Sequence, residues 1–307
     1  MSAVPAAPLA RVPPQLLLTA AAVSLQGGAA LATTLFPSMG APGVLALRMG
    51  FGALCLVLLG RAWRAVPSGR ALRLVVAFGL VLGTMNLLFY LALERIPLGV
   101  TVALELLGPL GVAVAGSRSR RDLLWVALAV AGLAVLLGPT ATGQADGLDP
   151  LGVLLALATG GAWAGYILLG SRLAHAVPGT AGLAWAMVVA SCALVPLGVV
   201  TAGSALLEPA HLLAGLAIAV LSGVVPYSVE LATLRRVGAR AFGVMMSLEP
   251  AVAALAGLVV ASQVPTLAAF VGIVLVVVAS LGAVPGRSDA VDDLAPDATA
   301  SAHQFGN

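Results

Sequence analysis

Two opposite charges and two polar side chains fall inside stretches that are otherwise apolar: Arg48, Asn86, Tyr90 and Glu105. Glu105 sits in the run YLALERIPLGVTVALELLGPLGVAVA and has no charged neighbour for nine residues on either side. A carboxylate is costly to place in hydrocarbon, so a residue of this kind marks a functional site by default. Counted from the ends of their apolar stretches, Arg48 lies about four residues in and Glu105 about seven, which at ~1.5 Å per residue are similar depths. The two charges are therefore placed to pair. Asn86 and Tyr90 are one helical turn apart and share a face. An amino acid is a zwitterion. It needs a cation or helix dipole for its carboxylate, and a carboxylate or aromatic face for its ammonium. Arg48, Glu105 and Tyr90 supply those groups. The same residues also allow a structural Arg48–Glu105 pair locking two helices, although desolvation offsets much of that attraction.

Glu249, followed by Pro250, falls about eight residues into a later apolar stretch of helical rise. Burial raises a carboxyl pKa towards physiological pH, which makes Glu249 and Glu105 the candidates for carrying a proton. The alternative for Glu249 is a bond to backbone freed by Pro250. Glu230, three residues after Tyr227, is expected near an interface, where it can reach water. Gln26, beside Gly27 and Gly28, and Trp163, near Tyr166, complete the binding candidates. The glycine spacings at 79/83 and 161/165 read as close helix packing.

These residues need helices that cross a membrane. The 307-residue chain is 61% hydrophobic and only 9% charged, against about 25% charged in soluble domains. Apolar stretches of about 20 residues recur throughout, each long enough to span ~30 Å of hydrocarbon. The apolar–polar alternation of a β-barrel is absent. The expected fold is all-α and integral to the membrane. Its ten transmembrane helices fall at about 16–36, 44–60, 71–92, 98–116, 123–138, 151–171, 181–202, 211–232, 241–261 and 266–284. Residues 1–15 precede the spans, 139–150 link the two halves, and 285–307 form a polar tail. No cleavable signal peptide is evident. Cys55 and Cys192 lie in separate apolar stretches and read as small buried hydrophobes. No Walker A motif, HExxH, nucleophile elbow or Cys/His metal spacing occurs, so neither a cofactor nor a metal is expected. The net charge of +3 resides on arginines in short loops and gives no reason to expect nucleic acid as a partner.

With the N-terminus inside, thirteen of the fifteen arginines fall in inner loops and termini. Arg95 alone falls outside, and Arg48 lies within a span. This bias puts both termini in the cytoplasm. The halves also look related. Residues 86–109 lie on 227–250 with Leu93 on Leu234, Arg95 on Arg236, Leu107 on Leu248 and Pro109 on Pro250. Each half has five spans, an odd number, so the second half is inverted. The repeats are 16–138 and 151–284, and inverted repeats with a site at their interface are a common transporter architecture.

The segment NLLFYLALERIPLGVTVALELLGPL, the arginine in ALRMGF and the later SLEPAVAALAGLVV carry a resemblance to a known family. On these residues the chain resembles the drug/metabolite transporter superfamily with two EamA-type repeats, and its first half is most like the threonine/homoserine exporter group. The resemblance covers most of residues 16–284. It implies proton-driven export of small amino acids or related metabolites across a bacterial plasma membrane, with the lipid bilayer, protons and a small solute as partners. Export of hydrophobic drugs or purine-like solutes is the alternative within that superfamily. An integral membrane enzyme would need a nucleophile, metal cluster or acid/base pair at the interface, and a scaffold would not retain intramembrane carboxylates. The orientation predicts that cysteines placed at residues 140–149, in a chain first freed of Cys55 and Cys192, react with an impermeant reagent in whole cells. An externally reactive cysteine at Ser68 would overturn it.

Overall fold

The computed structural model describes residues 12–115, 121–137, 148–177, 180–246 and 249–282, and these are helical nearly throughout. The helices are α1 (Pro14–Thr33), α2 (Phe36–Gly60), α3 (Gly69–Leu93), α4 (Leu98–Glu105), α5 (Leu107–Ala115) and α6 (Arg121–Leu137). They continue with α7 (Pro150–Ala176), α8 (Ala181–Ala202), α9 (Pro209–Ala219), α10 (Val225–Met245), α11 (Glu249–Ala261) and α12 (Leu267–Gly282). Among the described residues no strand occurs. Among the described residues, six helical stretches are long and apolar enough to cross a membrane, and four shorter apolar ones accompany them.

The bundle is polar inside and oily outside. Gln26, Arg48, Asn86, Glu105, Glu230 and Glu249 are all buried, whereas Leu59, Leu80, Leu154, Val200 and Val259 are exposed. In lipid, apolar burial contributes little to helix association, so close packing through small residues takes over. The packed pairs follow that rule: α2 on α8, α3 on α7, α6 on α12, α1 on α11, and α5 on α7. Gly43 meets Ala202 and Gly198 meets Ala46 between α2 and α8. Gly132 and Gly272 face each other's carbonyls between α6 and α12. At one end of the bundle, Arg95 pairs with Asp149 at 2.9 Å and Gln263 Oε1 accepts the Leu98 N–H at 3.0 Å. Asp149 also caps α7 through the Leu151 N–H. The Arg95 guanidinium and that N–H hold its carboxyl below the ordinary value. At the other end, Arg236 donates to Val12 O, Trp185 to Ala62 O and Arg235 to Val177 O.

Several boundaries differ from those read from sequence, for physical reasons. The stretch α2 begins at Phe36, but its backbone leaves the helical region at Gly40, so the helix expected from about 44 starts just after this kink. Gly40 takes a left-handed φ of 66° ahead of Pro42, and the released Ala41 N–H is accepted by Glu94 Oε1 at 2.5 Å. The expected fourth span is interrupted at Leu106. Charge at Arg235 and Arg236 suggested a loop, yet α10 runs through both, since arginine can extend its head from a helix that keeps going. Glu249 is therefore not eight residues into a helix but the first residue of α11, where the helix dipole favours a carboxylate. Cys192 is exposed rather than buried.

Gly79 and Gly83 pack against α8 as expected. Gly161, in contrast, has nothing within 4 Å of the position a methyl group would take there, and Gly165 meets only Val81 at 3.5 Å. The close contact is made by Gly160, where an added Cβ would lie 2.7 Å from Glu105 O. Gly160→Ala should therefore destabilise the bundle by about 1–3 kcal/mol through overpacking. Gly161→Ala should be neutral or gain up to about 1 kcal/mol of helix propensity. Thermal unfolding in detergent compares the two, and equal melting temperatures would refute the packing role of Gly160.

Candidate functional site

Helix breaks create the centre of the bundle. Pro226 has no N–H, so the Ser222 carbonyl four residues earlier loses its helical donor. Just upstream, Val220–Val224 form a wide turn in which the Val225 N–H bonds back to Val220 O. Leu221 O is thereby released as well. Both carbonyls are taken up by other helices: Leu221 O accepts from the Ser24 hydroxyl of α1 at 2.6 Å, and Ser222 O accepts from Arg48 Nη2 of α2. Wide turns of this kind concentrate at functional sites. Pro109 does the same to the Glu105 carbonyl, and the chain breaks between α4 and α5 at Leu106.

Arg48 is 2% exposed and has no carboxylate partner within ion-pair distance among the described residues. Its guanidinium instead donates to Asn86 Oδ1, Ser222 O and, at 3.2 Å, the Tyr227 hydroxyl. The Tyr227 hydroxyl donates to Asn86 Oδ1 at 3.0 Å, and Asn86 Nδ2 donates to Leu82 O at 2.8 Å. The rings of Tyr90 and Tyr227 lie 5.3 Å and 5.6 Å from the guanidinium carbon, within cation–π range. The expected Arg48–Glu105 pair does not form. The carbonyl released by Pro226 takes one guanidinium donor instead, and a cage of amide, carbonyl and two tyrosines surrounds the charge, leaving only Nε without a partner among the described residues.

The carboxylates are thus left for the cavity. Gln26, Arg48, Asn86, Glu105, Trp163 and Glu249 all line one space of about 40 Å³ at the meeting of α1, α2, α3, α4, α7, α10 and α11. Tyr90, the remaining candidate, stands behind Arg48, with its hydroxyl buried and without a partner among the described residues. Glu249 Oε1 accepts from Gln26 Nε2 at 2.8 Å, while Glu249 Oε2 and Gln26 Oε1 have no partner there. Glu105 makes no side-chain hydrogen bond among the described residues. The space is close to one water's share of liquid, ~30 Å³. A larger cavity of about 380 Å³ lies at the end of the bundle marked by Arg95, Asp149 and Gln263.

Sequence reasoning undervalued two groups and passed over two more. Glu230, expected near an interface, is 3% exposed; it lines the cavity and accepts from Tyr166 at 2.9 Å. Tyr227 completes the Arg48 cage. Thr159 lines the cavity one turn before Trp163. Ser222 was missed entirely, although Ser-x-x-x-Pro inside an apolar stretch announces a free carbonyl.

A membrane bundle with its charged groups gathered around a central cavity, and no catalytic motif in its sequence, has the make-up of a transporter. Residues 150–284 match the EamA-like transporter family. The chain is 44% identical over 269 residues to the threonine/homoserine exporter RhtA of Salmonella typhimurium (strain SL1344), covering 88% of this chain and 90% of that protein. It is 42% identical over 270 residues to RhtA of Escherichia coli (strain K12), with the same coverage. A protein known from its crystal structure superposes with a TM-score of 0.63 at 22% identity, covering 88% of this chain and 96% of that one, which shows a shared fold. The chain belongs to the EamA-like transporter family and groups there with the threonine/homoserine exporters. It is a multi-span membrane transporter and not an enzyme.

Pro226→Ala would restore a helical donor to Ser222 O and remove the usual penalty of an interior proline, ~3 kcal/mol. We expect unchanged or higher thermal stability together with a loss of transport of about tenfold or more, the scale of one hydrogen bond to a charged group. Transport at the parental rate in cells expressing this variant would show that the Ser222–Arg48 contact is dispensable.

Proposed function

We propose that this chain is a secondary exporter of small amino acids, threonine- or homoserine-like, or of related metabolites, working by proton antiport and alternating access in a bacterial plasma membrane. The observation that carries this reading is the small central cavity, lined by Glu105, Glu230 and Glu249 together with Arg48. Its water-scale volume, against ~300 Å³ or more for typical ligand pockets, calls for a cycle in which helices part to admit solute. The names of the 42–44% identical relatives support the solute class.

The reading assigns solute binding to Gln26, Arg48, Asn86, Tyr90, Glu105 and Trp163. Glu105 and Glu249 carry the proton. Export of a zwitterion moves no net charge, so accumulation outside needs another driving term. One proton entering down 100 mV contributes about 2.3 kcal/mol, enough for a gradient of roughly fifty-fold. We further read the chain as ten spans in two inverted repeats with both termini in the cytoplasm. Reciprocal packing supports this: α1 packs on α11 and α10, while α7 packs on α4, α5 and α3. Asn86 and Tyr227, equivalent in the sequence register of the halves, are hydrogen-bonded to each other, as residues near a two-fold axis would be.

The test is threonine transport into or out of liposomes that carry the purified chain and an enclosed pH dye. The parent should move threonine against its gradient with coupled proton flux. Glu105→Gln, which keeps the shape and removes the charge, should abolish uphill movement while still inserting. Uphill transport without proton flux would overturn antiport, and parental rates in the variant would remove Glu105 from the mechanism.

A further inference from the structure

The unsatisfied atoms at the site are unevenly divided between donors and acceptors. On the acceptor side, Glu249 Oε2 and Gln26 Oε1 are buried without a hydrogen-bond partner among the described residues, and the Glu105 carboxylate, 7% exposed, faces the cavity with no side-chain hydrogen bond among them. All three residues line the same cavity. On the donor side, Arg48 has committed its Nη atoms to Asn86, Ser222 O and Tyr227, and it retains an unpartnered Nε. The Tyr90 hydroxyl is unpartnered too, but Tyr90 is not among the residues facing the space. A buried polar atom without a partner costs free energy, so the preferred occupant is one that supplies what the walls lack. An ammonium group supplies three N–H donors and no acceptor. A carboxylate supplies only acceptors, and here it would meet a wall that already holds three carboxyl groups.

We propose that this site recognises its solute through the ammonium group, and that the solute's carboxylate is not required, so that small primary amines with a hydroxyl, lacking any carboxylate, are also ligands. This deepens the amino-acid reading and rests on the same site. It narrows the roles within it: Glu105, Glu249 and Gln26 form the ammonium seat, and Arg48 acts as the fixed cation that holds the surrounding helices in register.

Two analogues separate the halves of the zwitterion. Threoninol keeps the ammonium, the hydroxyl and the methyl of threonine and replaces the carboxylate with CH₂OH. N-Acetylthreonine keeps the carboxylate and loses the ammonium. In threonine counterflow by liposomes carrying the purified chain, threoninol should half-inhibit within about tenfold of unlabelled threonine, and N-acetylthreonine should need more than about tenfold. The opposite order, or a requirement for more than tenfold excess of threoninol, overturns the proposal. Thermal unfolding of the purified chain in detergent reads binding directly and remains informative if threonine itself is not transported, an outcome that would sink the export reading alone. There threoninol should raise the melting temperature of the parent, and the shift should vanish in Glu105→Gln and in Glu249→Gln. A shift retained in both variants, or no shift in the parent, places the ammonium seat elsewhere.

Discussion

A single guanidinium inside the bundle sets the terms for everything around it. Arg48 cannot reach water, so its N–H groups must find protein acceptors or be left at a large cost. The acceptors come from different elements, and each is free because of a prior local arrangement. Asn86 turns its amide N–H₂ onto Leu82 O, which leaves Oδ1 facing the guanidinium. Tyr227 donates its hydroxyl hydrogen to Asn86, which leaves the oxygen to accept. Ser222 offers a carbonyl only because Pro226 has no N–H. A guanidinium held by neutral groups forms no ion pair with the nearby carboxylates among the described residues, and that leaves the Glu105 carboxylate and Glu249 Oε2 to the cavity.

Proline is used at both principal breaks in the same way. Pro109 frees the carbonyl of Glu105, and Pro226 frees that of Ser222; each lies at the level of the cavity. Interrupted helices are tolerated in a membrane only where neighbours re-satisfy the backbone. Here Arg48 and Ser24 do so at the second break, and at the first Gly160 allows α7 to lie directly against the Glu105 backbone. Pro42 with Gly40 is a third instance, nearer one end, where Glu94 accepts the exposed N–H. The side chains that cap these breaks therefore also join separate parts of the chain.

The membrane class, the helical fold and the charged candidates were legible because isolated charges in apolar sequence are rare and expensive. Gln26, Arg48, Asn86, Glu105, Trp163 and Glu249, spread over more than two hundred positions, line one cavity. What the sequence hid was pairing. Similar depth made Arg48 and Glu105 look like partners, since depth along a helix says nothing about which face a side chain occupies or which carbonyl has been released nearby. Charge density misplaced the boundary at Arg235, where flexible side chains reach the end of the bundle from a continuous helix. Glu230 was discounted for the same reason: its position near charged residues suggested an interface, whereas the bend at Val220–Val224 and the Tyr166 hydroxyl hold it inside.

Three carboxyl groups around one small space cannot all remain ionised without cations, because like charges at close range in a poor dielectric repel strongly. Arg48 supplies one compensating charge from behind its cage. The balance must come from protons or from a cationic group on the solute, and both seek the same oxygens. On the proposed reading, exchange follows from that competition: protonation of Glu105 or Glu249 removes the charge that holds an ammonium, and arrival of an ammonium displaces the proton. Conversion of this exchange into directional transport requires the two ends of the bundle to open separately. On the proposed reading the bundle bends at Leu106 and at Val220–Val224, where regular helical hydrogen bonds are already given up. On the same reading the seat adjoins the points of bending: Glu105 precedes the break at Leu106, and Arg48, beside the seat, holds the carbonyl released at Ser222.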